Sequence, residues 1–596
     1  MSVLDRIERL RNVMEQQKID CYIIPTDDYH HSEYVGDYFK FREYITGFTG
    51  SAGTAVFTKD KAGLWTDGRY FIQAEVQLKG SGITLYKSGE SDVPTIEEFL
   101  KSELKEGDVL GFDGRTVTYA QGKRYCHIAD ENGASLKYSL DFAQNIWKER
   151  PEMSMESVFS LEDEYTGEKI GSKLERVREV MKENGCNAHV LSSLDDIAWL
   201  LNIRGNDIAY CPLVLSYAIV YNNSVELFAD IRKFSDDIIN LLAENQVKIY
   251  PYEDIYRKVS EMTSEDKLLL DSAIMNYSLY QAISKETVIV DKQNPEILMK
   301  SVKNETQAEN LRKAHLKDAV AHTKFMYWLK KNIGRVEITE LSASARLEGL
   351  RAEQEHFLGP SFGPISAYGE HGAIVHYSAD EKSNVPLKEG KLFMTDTGGH
   401  YLEGSTDITR TVALGEVGNI EKEHFTLVAR AMLRLANTVF LYGCSGANLD
   451  CIAREVFWKE GLNFNHGTGH GVGYLLNIHE GPINFRWKEG ERPAPALEEN
   501  MVITDEPGIY IEGSHGIRLE NELLVRKTVK NEYGQFMNFE ILTYVPIDLD
   551  AILPEKMSTE EKEMLNHYHK QVYEKVSPYL SEEERIWLKE YTRAVK

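Results

Sequence analysis

Apolar residues recur at helical spacing in two stretches that read alike. RIERLRNVMEQQKIDCYII, from Arg6, and KLERVREVMKENGCNAHVL, from Lys173, align without a gap, matching at Glu8/Glu175, Arg9/Arg176, Arg11/Arg178, Val13/Val180 and Met14/Met181. Each predicts an amphipathic helix followed within a few residues by a short apolar strand. Each opens a segment of ~150 residues, a common domain size. The pattern predicts two related α/β domains, 1–160 and 161–310, joined through a polar stretch (149–164) that contains Pro151. A second boundary near Asn294-Pro295 precedes a long helical pattern over about 303–332. The third domain, 311–596, alternates β-branched runs with Gly turns as far as about Val545 and becomes helical after Pro554, with Ser558 and Glu561 placed as a capping box.

Composition narrows the function classes. The 596 residues are 42% hydrophobic and 27% charged, ordinary for a globular chain, and 68 Lys+Arg against 94 Asp+Glu give a net charge of −26. With no Lys/Arg-rich run, that surface repels polyanions, so nucleic acid is excluded as a partner. The longest apolar stretch, 213–220, is interrupted by Ser216 and Tyr217 and falls far short of the ~20 residues that span a membrane. Charges in MSVLDRIERLR occupy the place of a secretory apolar region, so no signal peptide is expected. The six cysteines (Cys21, Cys126, Cys186, Cys211, Cys444, Cys451) form no CxxC pair and read as buried small residues of a cytoplasmic protein.

Candidate chemistry concentrates in the third domain. FMTDTGGHYLEGSTDITRTVAL reads as a hairpin about a Gly-rich turn, with Asp396 on one strand and Asp407 on the other. VITDEPGIYIEGSHGIRLENELLVR repeats the pattern, with Glu506 and Glu520 as the inward candidates. Between them lies NHGTGHGVGYLLNIHEGP, carrying His466, His470 and His479. Any one of these acids alone would be a solvated side chain. Four carboxylates converging in an interior repel one another unless cations neutralise them. Two divalent ions offset about four negative charges, and oxygen ligation with one imidazole suits Mn²⁺, Co²⁺, Fe²⁺ or Zn²⁺. Two such ions ~3.5–4 Å apart share a water and polarise a carbonyl, which is hydrolase chemistry. GTGHGVG matches neither GxGxxG nor GxxxxGK[ST], so a phosphate loop is set aside.

The ordered set TDTGG, STDITR, HGTGHGVG, HEGP, TDEPG and IRLENE resembles the pita-bread metallopeptidases, which include methionine aminopeptidase, prolidase and Xaa-Pro aminopeptidase. The two preceding domains and the ending from VPIDLDAIL resemble the large, three-domain Xaa-Pro aminopeptidases (aminopeptidase P). The fold this implies is mixed α/β and α+β: two creatinase-like domains, then a pita-bread catalytic domain with a C-terminal helical extension. By motif, the resemblance implies that Asp396 chelates one metal, that His470 and Glu506 bind the other, and that Asp407 and Glu520 bridge them. It further implies that His376, in GAIVHY, lies beside the scissile bond, that His479 holds the substrate carbonyl or its oxyanion, and that His466 lines the pocket. Tyr510 and Arg518 are candidate hydrogen-bonding tethers of the metal ligands.

The implied activity is metal-dependent removal of the first residue from peptides with proline second, through a hydroxide shared by two metals, with Glu506 shuttling its proton. Manganese is the first choice of metal. Prolidase, acting on Xaa-Pro dipeptides, would share every ligand, and only the extra N-terminal domain argues against it. A catalytically silent peptide-binding module is the alternative of another class. A homodimer follows from the resemblance alone, and the acidic surface favours cationic or neutral peptides. Elsewhere, the metal-loving run Asp27-Asp28-Tyr29-His30-His31 reads as a loop without metal, His567 and His569 as surface residues, and Glu353–His356 as the end of a helix before a Gly359-Pro360 turn.

Overall fold

The computed structural model describes residues 1–488, 490 and 492–596. Two compact units emerge, Met1–Leu161 with Glu168–Ile297, and Glu162–Gly167 with Leu298–Lys596.

The first unit contains the sequence repeat as a repeat of structure. Helix α1 (Val3–Gln17) leads into strand β1 (Cys21–Pro25), followed by β2 (Thr54–Thr58), β3 (Ala62–Thr66), β4 (Thr84–Lys87), β5 (Val109–Phe112) and β6 (Ser135–Lys137). These six form one sheet in the order β4-β3-β2-β1-β5-β6. Helix α2 (Ile170–Glu183) leads into β7 (Ala188–Leu191), then β8 (Tyr217–Tyr221), β9 (Val225–Phe228), β10 (Val247–Tyr250), β11 (Lys267–Leu270) and β12 (Val288–Asp291). Their order, β10-β9-β8-β7-β11-β12, is the same, with antiparallel and parallel pairings in the same places.

The aligned residues do the same work in both copies. Ile7, Leu10 and Met14 of α1 are buried, as are Leu174, Val177 and Met181 at the matching positions of α2. Arg11 Nε donates to the Thr58 carbonyl at the end of β2 (3.1 Å), and Arg178 Nε donates to the Tyr221 carbonyl at the end of β8 (2.9 Å). The paired arginines therefore latch each opening helix to the far end of its second strand. On β7, the fully buried His189 has one ring nitrogen 3.0 Å from the Leu269 carbonyl and the other 3.2 Å from Glu296.

Several readings of single residues need correction. Of the six free cysteines, Cys21, Cys186 and Cys211 are buried, but Cys126 and Cys444 are half-buried and Cys451 is exposed. The run 27–31 forms a loop, as expected, and within it His30 is buried, its ring held between the Ser192 carbonyl (2.9 Å) and the Tyr252 hydroxyl (2.7 Å). Gly359-Pro360 closes a short strand, Phe357–Pro360, that pairs with Gly399–Tyr401, and is no turn.

The second unit is built on helix α3 (Glu305–Asn332), which begins with an Asn304–Gln307 capping box and is buried along most of its length. Helix α4 (Glu340–Ala352) follows. Strand β13 (Ile365–Tyr368) pairs with β14 (Lys391–Thr397), and β14 with β15 (Ile408–Leu414), all antiparallel. Helices α5 (Asn419–Ala436) and α6 (Gly446–Trp458) pack on each other. Four more strands complete the site region: β16 (Val502–Asp505), β17 (Gly508–Ile511), β18 (His515–Arg518) and β19 (Asn521–Asn531), with β16 antiparallel to β19 and β17 to β18. Strand β20 (Gly534–Ile541) pairs with β19.

Helix α7 (Thr559–Val576) carries the Ser558–Glu561 capping box. His567 is exposed, but His569 lies on the buried stripe Leu565–His569–Val572–Val576, where its Nε2 accepts the Ile547 N–H at 3.1 Å. A helix that covers a core needs its full i, i+4, i+7 stripe inside, and His569 falls on it. Among the described residues no helix is long and apolar enough to cross a membrane.

Candidate metal centre

The acids arrive on strand ends. Asp396 is the sixth residue of β14 and pairs with Thr409 of β15. Asp407 stands one residue before β15, not on the strand, because the Gly-rich turn is itself folded into short strands at Gly399–Tyr401 and Gly404–Ser405. Glu506 and Glu520 occupy the breaks between β16 and β17 and between β18 and β19. A break in the ladder frees a residue from the strict alternation of a strand, so all four carboxyls can point into one space.

Three groups (Asp407, His470 and Glu520) present ligand atoms that all lie within 4.8 Å of one another. His470 Nε2 is 3.5 Å from Asp407 Oδ2 and 3.7 Å from Glu506 Oε1. His470 Nδ1 sits 2.9 Å from the Gly471 carbonyl; donating there fixes the tautomer that turns the Nε2 lone pair toward the acids. Thr409 Oγ1 donates to Glu520 Oε2 at 2.8 Å. Asp396 Oδ2 is held by Arg518 Nε (3.1 Å) and Nη2 (2.5 Å), while its buried Oδ1 has no hydrogen-bond partner.

The electrostatics match that crowding. Burial raises the Asp396 carboxyl, opposed by Arg518 and reinforced by Asp407. Burial raises Glu506, and Asp407 and Asp396 add to it. Burial pushes Glu520 well up, with Asp407, Glu506 and Asp396 all contributing. Burial works against a charged imidazole at His470, yet Asp407 and Glu506 lift it to about 9. A cluster of buried acids that cannot all ionise, with one orphaned carboxylate oxygen and one aligned imidazole, fits a pair of hard or borderline divalent cations.

The remaining candidates surround this cluster. His479 packs edge-on against His470, ring centroids 4.3 Å apart. His466 Nε2 is 2.8 Å from the Tyr510 hydroxyl, which accepts from Arg518 Nη1 at 2.7 Å. Arg518 Nη2 also reaches the carbonyl of Val375 (3.2 Å), which places His376 one residue from the guanidinium that holds Asp396.

Sequence reasoning missed what lies behind the acids. The Asp407 N–H donates to Glu522, and Arg410, fully buried, donates to the Glu520 carbonyl at 2.5 Å and to Asn521 Oδ1 at 2.7 Å. Asp318 of α3 accepts from Thr406, the residue before Asp407, and from Arg351 of α4 (2.6 Å). Arg351 in turn donates to the carbonyl of Thr397, the residue after Asp396 (3.1 Å). Glu522 stood inside the IRLENE motif and Thr409 and Arg410 inside STDITR, so the motifs carried that part of the signal.

Comparison with known proteins gives the family to which these motifs belong. Residues 309–527 match metallopeptidase family M24 and 535–595 the C-terminal region of peptidase M24. Residues 6–137 and 149–307 match two descriptions of the creatinase/prolidase N-terminal domain. Xaa-Pro aminopeptidase 1 of Dictyostelium discoideum is 36% identical over 594 residues, covering 97% of this chain and 94% of that one. The chain belongs to metallopeptidase family M24, among the Xaa-Pro aminopeptidases. Aminopeptidase P1 of Arabidopsis thaliana is 34% identical, with 99% of each chain covered. The X-prolyl aminopeptidase of Caenorhabditis elegans, described as a cytosolic enzyme with a di-nuclear active site, superposes with a TM-score of 0.95 over 100% of both chains at 33% identity. An Xaa-Pro dipeptidase from Bacillus anthracis, 25% identical with a TM-score of 0.51, covers 99% of its own length but only 64% of this one. The chain therefore carries both halves of the architecture, the paired creatinase-like domains and the pita-bread metallopeptidase domain.

Proposed function

We propose that this member hydrolyses the N-terminal Xaa-Pro bond of peptides at a dinuclear metal centre held by Asp396, Asp407, His470, Glu506 and Glu520. The observation that carries the reading is a cluster of four buried or half-buried carboxyls that act on one another, with Asp407, Glu506 and Glu520 gathered about His470 and Asp396 Oδ1 left without a partner. Asp396 and the pair His470/Glu506 would take opposite metals, and Asp407 and Glu520 would face both. Two divalent ions there would supply Lewis-acid polarisation of the scissile carbonyl and a water acidified towards neutrality. Manganese is our choice among the cations the donor set accepts.

The chain's own groups supply the rest. His479, packed on His470, would donate to the substrate carbonyl as negative charge grows on its oxygen, a contact worth roughly 3–4 kcal/mol in such a role. Glu506, a carboxyl raised by burial, would hold the attacking water's proton at its carboxylate and pass it to the leaving proline nitrogen. His376 would flank the bond and His466, oriented by Tyr510, would line the pocket. A peptide bond to proline has no N–H to grip, so recognition has to rest on the carbonyl and the ring.

Full-length likeness to Xaa-Pro aminopeptidases, where the dipeptidase covers only 64%, favours a tripeptide or longer substrate over Xaa-Pro dipeptides. Domain limits of 1–160, 161–310 and 311–596 and a cytoplasmic home belong to the same proposal; six free cysteines and the cytosolic relative support the latter. Two exposed indoles, Trp458 (44%) and Trp487 (48%), stand nearly perpendicular at 6.0 Å and support pairing of two copies, which sedimentation would measure.

The deciding experiment strips the metal and assays an Xaa-Pro-Yaa tripeptide and an Xaa-Pro dipeptide before and after Mn²⁺, with Glu520→Gln alongside. Mn²⁺-dependent release of the first residue from the tripeptide, lost in the mutant, is the expected result. Cleavage of the dipeptide alone would mean prolidase, and silence on both with two metals bound would mean a binding module.

A further inference from the structure

Glu522 lies two residues beyond the last acid of the centre, with none of its surface exposed. Its Oε1 accepts the backbone N–H of Asp407 at 2.6 Å, and its Oε2 stands 3.1 Å from Nε2 of His315, an equally buried residue of α3. Its own main chain is fixed on both sides: its N–H donates to Thr543 Oγ1 and its carbonyl accepts from Leu542, each at 2.9 Å.

A carboxylate is a costly occupant for such a place. Its strand neighbours Leu523, Leu524 and Val525 are wholly buried apolar residues, and a polar group buried among them needs a hydrogen-bond partner. An apolar side chain of similar size would fill the space without that cost, but it could not accept the Asp407 N–H, which would then be left unpaired in the interior.

We infer that Glu522 and His315 form a positioning pair that fixes the main chain at Asp407 and so sets how tightly the metal centre binds its ions. Glu522 grips the Asp407 N–H; His315, anchored in the long helix, packs against the other carboxyl oxygen at 3.1 Å without hydrogen-bond geometry and so fills the space into which the glutamate could swing. The inference rests on the dinuclear reading of the previous section. It adds to it a pair of residues that touch neither substrate nor metal.

The test is Mn²⁺ titration of the metal-stripped, full-length chain by calorimetry, with circular dichroism to establish folding and kcat and KM measured at saturating Mn²⁺. Glu522→Leu is expected to weaken Mn²⁺ binding by about 10–100-fold, the usual effect of removing an outer hydrogen-bond partner. Its KM for an Xaa-Pro-Yaa tripeptide should stay within about threefold, since substrate contacts are untouched. Glu522→Gln keeps an acceptor for the Asp407 N–H and should recover Mn²⁺ affinity to within about threefold of wild type. Should the leucine variant fail to fold, His315→Gln is read instead, with a smaller loss of Mn²⁺ affinity expected. A folded Glu522→Leu or His315→Gln with wild-type Mn²⁺ affinity overturns the pair, as does Glu522→Gln as weak as the leucine variant. If the wild-type chain itself takes up no Mn²⁺, the dinuclear reading fails first, and this inference falls with it.

Discussion

Arg410 Nη2 donates to the hydroxyl of Tyr568 at 2.7 Å, joining the strand that follows Asp407 to the C-terminal helix α7. The same guanidinium reaches the carbonyls of Thr409, Glu520 and Val545, and the Tyr568 hydroxyl donates to the Val545 carbonyl at 2.6 Å. The C-terminal extension thus buttresses the main chain on both sides of the site. Tyr568→Phe leaves buried donors and acceptors short of a partner and should destabilise the chain by about 1–3 kcal/mol. Urea unfolding measures this, and a change within error would show that the contact is dispensable.

Arg518 holds Asp396 through Nε and Nη2, reaches the Val375 carbonyl with the same Nη2 and donates to Tyr510 with Nη1. Lysine carries one point charge and cannot reproduce that fork. Arg518→Lys should lower kcat by roughly 10–100-fold and weaken metal binding in parallel. Metal content measured beside kcat decides whether both fall together.

The glycines around His470 are there for close approach. A Cβ on Gly469 would stand 1.9 Å from the Thr504 carbonyl, and one on Gly471 would stand 2.2 Å from the Glu480 carbonyl. Neither contact can relax by turning a side chain, because both involve backbone. Gly469→Ala should therefore push apart the segments bearing His470 and Glu506, reducing bound Mn²⁺ to fewer than two ions per chain. Retention of both ions in that variant would contradict the packing argument.

Two buried bases make stability depend on pH. Burial lowers Lys173 to about 7 from 10.5, while its Nζ donates to the Trp199 carbonyl at 2.8 Å and Asn202 Oδ1 at 2.6 Å. Burial lowers His569 to about 3 from 6.5. In each case the unfolded chain binds a proton that the folded one refuses, so stability falls as pH drops through the window between the two values. The slope for each group is at most ~1.4 kcal/mol per pH unit. Lys173→Met should flatten the upper window and leave the lower one unchanged, as followed by urea midpoints against pH.

The legible parts of the sequence were those with a strong local period or a dense motif. The two opening helices announced themselves because Ile7, Leu10 and Met14 recur in register with Leu174, Val177 and Met181, one face buried and the other wet. The acids and His470 were legible because several motif residues had to converge for any of them to matter. What escaped notice lay on elements buried all round. Helix α3 carries His315, Asp318 and His322 inside, and polar residues spread around a helix read as its solvent face when no neighbour is visible. His569 was misread for the same reason. Asp407 was assigned to a strand because alternation ran through it, whereas a turn refolded into Gly399–Tyr401 and Gly404–Ser405 decides where β15 begins.

Two sheets of the same strand order in one chain create a hazard during synthesis, since the opening strand of either half can dock in the other's vacant central slot. His189 stands where the first half has Tyr22, so the two opening strands are not interchangeable. In its own sheet the ring meets Leu269 and the buried Glu296, whereas β1 offers Cys21 and Tyr22 to the corresponding neighbours Leu110 and Gly111. A β7 strand lodged in the first sheet would bury an imidazole away from Glu296, and that loss falls only on the wrong pairing. The duplicated half therefore carries a polar key cut for one lock.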